Sequence, residues 1–141
     1  MVNIRTCVII FILATLADIG QCCKCLVRTP SENDKLFCSS QFAAIVRIQA
    51  KSNLCPDENT CYPIRIQNLI RGDKHPTILE TPSSSAACGL TNLFPGVYLI
   101  VSNIVHPLSV RMISCDLYVN ITDIAIRKKV VKHYHSLKCS S

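Results

Sequence analysis

Hydrophobic positions fall into three kinds of run along this chain. The first, Cys7 to Leu16, is unbroken; one charge, Arg5, precedes it, and small or polar residues follow Ala17. A charged start, an apolar stretch of about ten residues and a small-residue exit describe a secretory signal peptide. The run is too short for a bilayer, which needs about twenty helical residues, and "VYLIVSNIV" (97–105) is interrupted by Ser102 and Asn103. A buried N-terminal helix is the competing reading of the first run. The second kind alternates. "QFAAIVRIQAK" (41–51) predicts a strand, and "YPIRIQNLIRG" (62–72) sets Ile64 and Ile66 inward against Arg65 and Gln67 outward until Gly72 stops it. "TILET" (77–81) predicts a shorter strand; after the turn at Pro95-Gly96, "VYLIVSNIV" and "SVRMISC" (109–115) supply two more. The third kind is helical: Thr122-Asp123 reads as a helix start, and "IAIRKKVVKHYHSL" can run to Cys139.

Between these runs, residues 26–37 are polar and irregular, and "PSSSAACG" (82–89) is a small-residue loop carrying Cys88. Cys55-Pro-Asp-Glu-Asn-Thr-Cys61 is a turn-forming segment pinched by two cysteines, as a local bridge at a hairpin tip would be. No repeats, low-complexity tracts or linkers divide the chain, so a leader (1–22) and one domain (23–141) are expected. Five strands followed by a helix predict a mainly β fold, a five-stranded OB-like Greek-key barrel with a C-terminal helix.

Composition changes the picture at one point. The core has few aromatics, with no Trp and four each of Tyr and Phe, but ten cysteines in 141 residues. In an exported chain that count reads as a disulfide framework. Cys7 leaves with the leader, and a cut after Cys22 leaves eight: Cys23, Cys25, Cys38, Cys55, Cys61, Cys88, Cys115 and Cys139. Gly20-Gln21-Cys22 also puts small residues three and one positions before that cut. Parity and cleavage chemistry both favour Cys23 as the mature N-terminus. The competitor, a cut after Gln21 or Gly20, leaves Cys22 free or pairing two chains.

Mature "CKC", then "FCSS…IVRIQAK", "YPIRIQNLIRG", "AACG", "MISC" and a helix ending at "LKC" resemble the N-terminal inhibitory domain of tissue inhibitors of metalloproteinases, part of the wider netrin-like group. The resemblance covers essentially all of residues 23–139. It implies pairing of Cys23 with Cys88, Cys25 with Cys115 and Cys38 with Cys139, which leaves Cys55 with Cys61. It further implies an inhibitory edge made of Cys23, Lys24, Cys25 and Leu26, flanked by Ser85, Ala86, Ala87 and Cys88. The target would be the zinc of a secreted metalloproteinase. The chain ends two residues past Cys139, so the separate C-terminal domain of vertebrate inhibitors is expected to be absent.

The chemistry of such an edge follows from elementary coordination. A catalytic zinc keeps one position open for water or substrate. The α-amine and carbonyl oxygen of one residue, Cys23, can close a five-membered chelate on that zinc and displace the water. The amine must be unprotonated, which costs little at neutral pH because its reference pKa is about 7.7–8. One extra residue ahead of Cys23 would convert the amine into an amide nitrogen with no available lone pair. Lys24 departs from the small Thr or Ser that the family places between the first two cysteines, where the side chain enters the protease S1′ pocket. Its ammonium can snorkel or meet an acidic pocket; its other reading is a solvated charge on a netrin-like module that does not inhibit. Such a module would bind matrix, glycosaminoglycan or a secreted or cell-surface protein.

Other chemistry finds little support. Paired cysteines leave no thiolates for a metal or for nucleophilic catalysis, and His133 and His135, two apart on a helix, do not share a face. No G-x-S-x-G elbow surrounds a serine. The acids show no paired spacing. The expectation is a non-enzymatic, monomeric, secreted protein without a cofactor, a membrane span or a nucleic-acid partner. The net charge of +6 is concentrated late, at Arg127, Lys128, Lys129 and Lys132. That cluster reads either as a solvated helix face or as a site for heparan sulfate. Asn120-Ile-Thr122 is an N-glycosylation sequon.

Overall fold

The computed structural model describes residues 23, 25–53, 55 and 58–139. The expected leader (1–22), Lys24, and Pro56 and Asp57 of the pinched segment lie outside the described residues. In chain order the elements are α1 (Pro30–Ser39), β1 (Phe42–Ile48), β2 (Asn59–Arg71), β3 (Ile78–Pro82), a 3-10 turn (Ser85–Ala87), β4 (Gly96–Ser102), β5 (Ile104–Val105), β6 (Ser109–Arg111), β7 (Leu117–Asn120) and α2 (Ile124–Ser136). All seven strands join one sheet in the order β5-β6-β3-β2-β1-β4-β7. Pairing is antiparallel except between β3 and β6.

The sheet curls into a half-barrel. β2 skips Ile70 and Gln67 in its register with β1, and an extra residue on one strand bends it and increases its twist. The bend brings the end of β4 back towards β6, with three strands between them in the sheet order: the Ser102 hydroxyl donates to the Arg111 carbonyl oxygen at 2.7 Å. Ser102 Oγ also accepts from the Ile104 amide at 3.1 Å. That side-chain bond diverts the backbone from the β4 ladder, so the run 97–105 expected as one strand forms two.

The five-stranded expectation is therefore revised to seven. Besides the split at Ser102, the stretch Leu117–Asn120 pairs along β4 as a strand the pattern did not reveal. Of "SVRMISC" only Ser109–Arg111 is strand, because residues 113–116 close a turn. The expected irregular segment 26–37 is corrected as well, since Pro30–Ser39 is helical. Thr29 caps it reciprocally: its hydroxyl accepts from the Glu32 amide at 3.3 Å, and Glu32 Oε2 accepts from the Thr29 amide at 2.7 Å. Pro30 occupies the first turn, where its missing N–H is not needed.

Two cores share one wall. Phe42, Ala44, Val46 and Ile48 of β1 pack with Tyr62, Ile64, Leu79, Ile100, Val110 and Met112 on one side of the sheet. Ala43 and Ile45 pack with Val97, Leu99, Val101, Phe37 and Tyr134 on the other, beneath the helices. β1 therefore has both faces buried except at Arg47. Phe37 of α1 meets Tyr134 of α2 with ring centroids 4.7 Å apart. α2 starts at Asp123, whose side chain accepts from the Ile126 amide at 2.9 Å, and stops at Ser136 rather than at Cys139. Leu137 is extended there, its side chain joining the helix-side core.

Gly72 ends β2 with a φ of +91°, and a β-carbon there would lie 2.7 Å from the Gln41 carbonyl oxygen. Cystines join Cys23 to Cys88, Cys25 to Cys115, Cys38 to Cys139 and Cys55 to Cys61, the pairing the resemblance implied. No helix of the described residues is long and apolar enough to cross a membrane.

Candidate functional site: a stapled N-terminal edge

The loop after β3 is built to hold one cysteine rigidly at the surface. Thr81, fully buried, accepts from the Leu90 amide at 2.8 Å and so ties the two ends of the loop together. Ser84 caps the short 3-10 turn through its hydroxyl, 3.1 Å from the Ala86 amide, and its carbonyl oxygen accepts from the Gly89 amide at 2.9 Å. Cys88 sits in the left-handed region at φ 64°. Gly89 follows where only glycine fits, since a β-carbon would meet the Pro82 carbonyl oxygen at 1.8 Å. The outcome is an exposed small-residue ridge, Ser85–Ala87, with Cys88 half-buried behind it.

A second loop carries Cys115. Asp116 closes it twice: its carboxylate accepts from the Ile113 amide at 2.8 Å, and its own amide donates to the Ile113 carbonyl oxygen at 3.0 Å. Burial pushes the Asp116 carboxyl above its ordinary value, against the opposing pull of the Ile113 amide and the positive charge of Arg28. The Ser114 amide then donates to the Cys88 carbonyl oxygen at 2.7 Å. That one bond zips the two cysteine loops side by side.

Cys23 and Cys25, two residues apart, are each tied to one of these joined loops. Cys23 Sγ lies 3.9 Å from the Ala86 carbonyl oxygen, and Cys25 Sγ lies 3.6 Å from Ser114 Oγ. Two covalent ties fix the backbone on both sides of position 24. Beyond them Leu26 and Val27 are 89% and 98% exposed. They extend the edge with apolar side chains that none of the described residues covers. Beside Ala87 opens a cleft of about 500 Å³, lined also by Glu58, Ser84 and Arg111.

Cys23, Cys25, Leu26, Ser85, Ala86, Ala87 and Cys88 thus form one continuous surface. Lys24 falls outside the described residues. The sequence reading overlooked Ser114, Asp116 and Thr81, which position the two staples without forming the edge. A turn signal was present in Ser114-Cys115-Asp116, a short polar side chain following a cysteine after an apolar strand.

The other candidates separate. Arg127 folds back on the chain, its guanidinium donating to the carbonyl oxygens of Ile121 at 3.2 Å and Thr122 at 3.3 Å. Lys128, Lys129 and Lys132 are exposed, and Lys129 borders a groove between the two helices. Asn120 is exposed at the end of β7; its side chain accepts from the Thr122 amide at 3.0 Å and donates to the Tyr98 hydroxyl at 3.3 Å. Among the described residues, the one cluster of metal-donor types is Cys55, Cys61 and Glu80. Its two sulfurs are joined as a cystine and offer no thiolate. His133 Nε2 meets Asp34 at 2.7 Å and His135 Nε2 meets Asn68 at 3.0 Å, on opposite flanks of α2. No family model matches the chain, and no curated protein matches it.

Proposed function

We propose that this protein is a secreted inhibitor of zinc metalloendopeptidases of the tissue-inhibitor type, on a netrin-like domain, acting through Cys23. The observation that carries the reading is the double staple: Cys23 and Cys25 are bonded to two loops that the Ser114–Cys88 hydrogen bond holds together. Freed at its amine by removal of the leader, Cys23 chelates the protease zinc with amine and carbonyl oxygen, in the position the attacking water would take. The ties remove in advance the ordering entropy that a flexible terminus would lose on binding. Ser85–Ala87 lets the protease surface approach closely, and Leu26 adds apolar contact. The strand pairing supports the OB-like reading of the barrel: β1 lies between β2 and β4, and β3 runs parallel to β6. Four cystines fit the oxidising setting of secretion.

A second reading is favoured by Lys24, whose ammonium would enter an S1′ pocket that is commonly apolar, at a cost of several kcal/mol if unpaired. On that reading the domain binds matrix or a cell-surface protein and inhibits nothing.

The test is a titration of secreted protein, its N-terminus verified as Cys23, against a panel of zinc metalloproteinases. The control carries one alanine ahead of Cys23. Inhibition by the first and none by the second is expected, growing stronger as pH rises through about 7–8 and the amine loses its proton. Absence of inhibition by the verified chain across the panel would sink the inhibitor reading in favour of the binding module.

A further inference from the structure

The one N-x-S/T sequence of the chain, Asn120-Ile121-Thr122, lies where β7 hands over to α2. β7 ends the sheet and pairs with β4 alone among the described strands. Leu117, Val119 and Ile121 pack into the helix-side core. The alternation of a strand sends Tyr118 and Asn120 to the other face, and both are exposed there. A surface asparagine in this sequence is the acceptor of N-linked sugar in an exported chain.

The Asn120 amide is held at both ends. Its oxygen accepts from the Thr122 amide at 3.0 Å, and its nitrogen donates one hydrogen to the Tyr98 hydroxyl at 3.3 Å. That hydroxyl donates onward to the Phe94 carbonyl oxygen at 3.0 Å. The second hydrogen on the nitrogen meets no acceptor among the described residues. A sugar in its place breaks no bond of the fold. Beside it stands an aromatic platform. Tyr118, 39% exposed, precedes Asn120 by two residues, about 7 Å along the same face. Its ring forms one wall of a cleft of about 160 Å³ that Thr91 and Asn92 also line. An aromatic ring matches the apolar C–H face of a pyranose, and those two side chains offer hydrogen bonds to its hydroxyl and acetamido groups.

We infer that Asn120 carries an N-linked oligosaccharide whose first N-acetylglucosamine lies on the Tyr118 ring. The donor is an oligosaccharide bound through pyrophosphate to a lipid. The Asn120 nitrogen bonds to C1 of the first sugar, the C1–O bond breaks, and the lipid pyrophosphate leaves with that electron pair. One amide proton passes to a base of the transferring enzyme; the other stays and can keep the bond to Tyr98. Transfer precedes folding, because the Thr122 hydroxyl that the sequon supplies accepts from the Val97 amide at 3.0 Å once β7 lies against β4. The site rests on the export part of the proposed function and is independent of the Cys23 chelate.

The experiment expresses the full chain, leader included, in a eukaryotic secretory cell line and recovers it from the medium. Peptide-N-glycosidase F in heavy-oxygen water should shift its mobility and leave Asn120 as a labelled aspartate in peptide mass spectra. Asn120→Gln should show no shift. Secreted protein with an unmodified Asn120 peptide would overturn the inference and leave export standing; protein retained in the cell and unmodified would sink both. The contact with Tyr118 is read in thermal melts. In cells restricted to high-mannose glycans, endoglycosidase H leaves one N-acetylglucosamine on Asn120. The midpoint of that form should exceed that of Asn120→Gln, and the difference should be about 4 °C larger with Tyr118 than in a Tyr118→Ala background. Circular dichroism verifies that each variant is folded. An equal difference in both backgrounds would overturn the seat of the sugar on Tyr118.

Discussion

The two ends of the described chain are held to the sheet by different means. At the N-terminal end, Cys23 and Cys25 bury little and are tied by two long-range cystines, spanning 65 and 90 residues. At the C-terminal end, α2 lays Val130, Val131, Tyr134 and Leu137 on the sheet, with one cystine, Cys38–Cys139, at its edge. Burial fixes an element by hiding it. Covalent ties hold an edge while leaving it exposed.

The largest effect should come from cutting the staple that has no packing behind it. In the chain-entropy model the Cys25–Cys115 bridge contributes about 4–5 kcal/mol. Cys25→Ser with Cys115→Ser should lose most of that in urea unfolding, and should raise the inhibition constant against any sensitive metalloproteinase at least tenfold. Unchanged inhibition would mean that one staple suffices to preorganise the edge.

At the other end, Phe37→Ala removes a 3% exposed ring that stacks on Tyr134. It should cost about 3–5 kcal/mol and loosen α1 and α2, read as lost near-ultraviolet dichroism. Inhibition should remain at temperatures where the variant is folded. If inhibition fell as steeply as in the staple variant, the two ends would be mechanically coupled and the contrast would fail.

The smallest effect probes the Cys115 loop. The folded chain holds the Asp116 carboxyl above 3.8, mainly through burial, so the unfolded chain releases that proton first. Stability from this group is whole below 3.8 and is lost as pH rises from there through the folded value. Asp116→Asn keeps an acceptor for the Ile113 amide and removes that slope. Its thermal midpoint at pH 7 should rise by about 1–2 °C, with the native protein catching up on acidification. A variant less stable than native at pH 7 would show that the Ile113 hydrogen bond to the charged carboxylate, with the attraction of Arg28, outweighs burial.

What the sequence revealed follows the same division. β1, β2 up to Gly72, and α2 from Asp123 were legible because each buries a periodic face or ends on a residue with one mechanical use. α1 escaped because Phe37 is its one buried residue, although Thr29-Pro30-Ser31-Glu32 spelled its cap. β7 escaped because four residues are too few to show a period. The break at Ser102 depends on its hydroxyl accepting from the Ile104 amide while donating to the Arg111 carbonyl, the second contact existing only after the sheet curls. The cystine pairing was legible through the resemblance. The supports, Thr81, Ser114 and Asp116, act through backbone hydrogen bonds that leave almost no mark on composition.

β1 carries a consequence of another sort. Ala43 and Ala44 are adjacent, both wholly buried, and face opposite cores. A larger side chain at either must be accommodated by shifting the strand that both cores lean on. The exposed surface outside the cysteines and Gly89 can therefore drift in sequence while this strand stays nearly frozen. In a lineage of such proteins, divergence should collect at the rim, and the slowest-changing and slowest-exchanging amides should coincide along Phe42–Ile48.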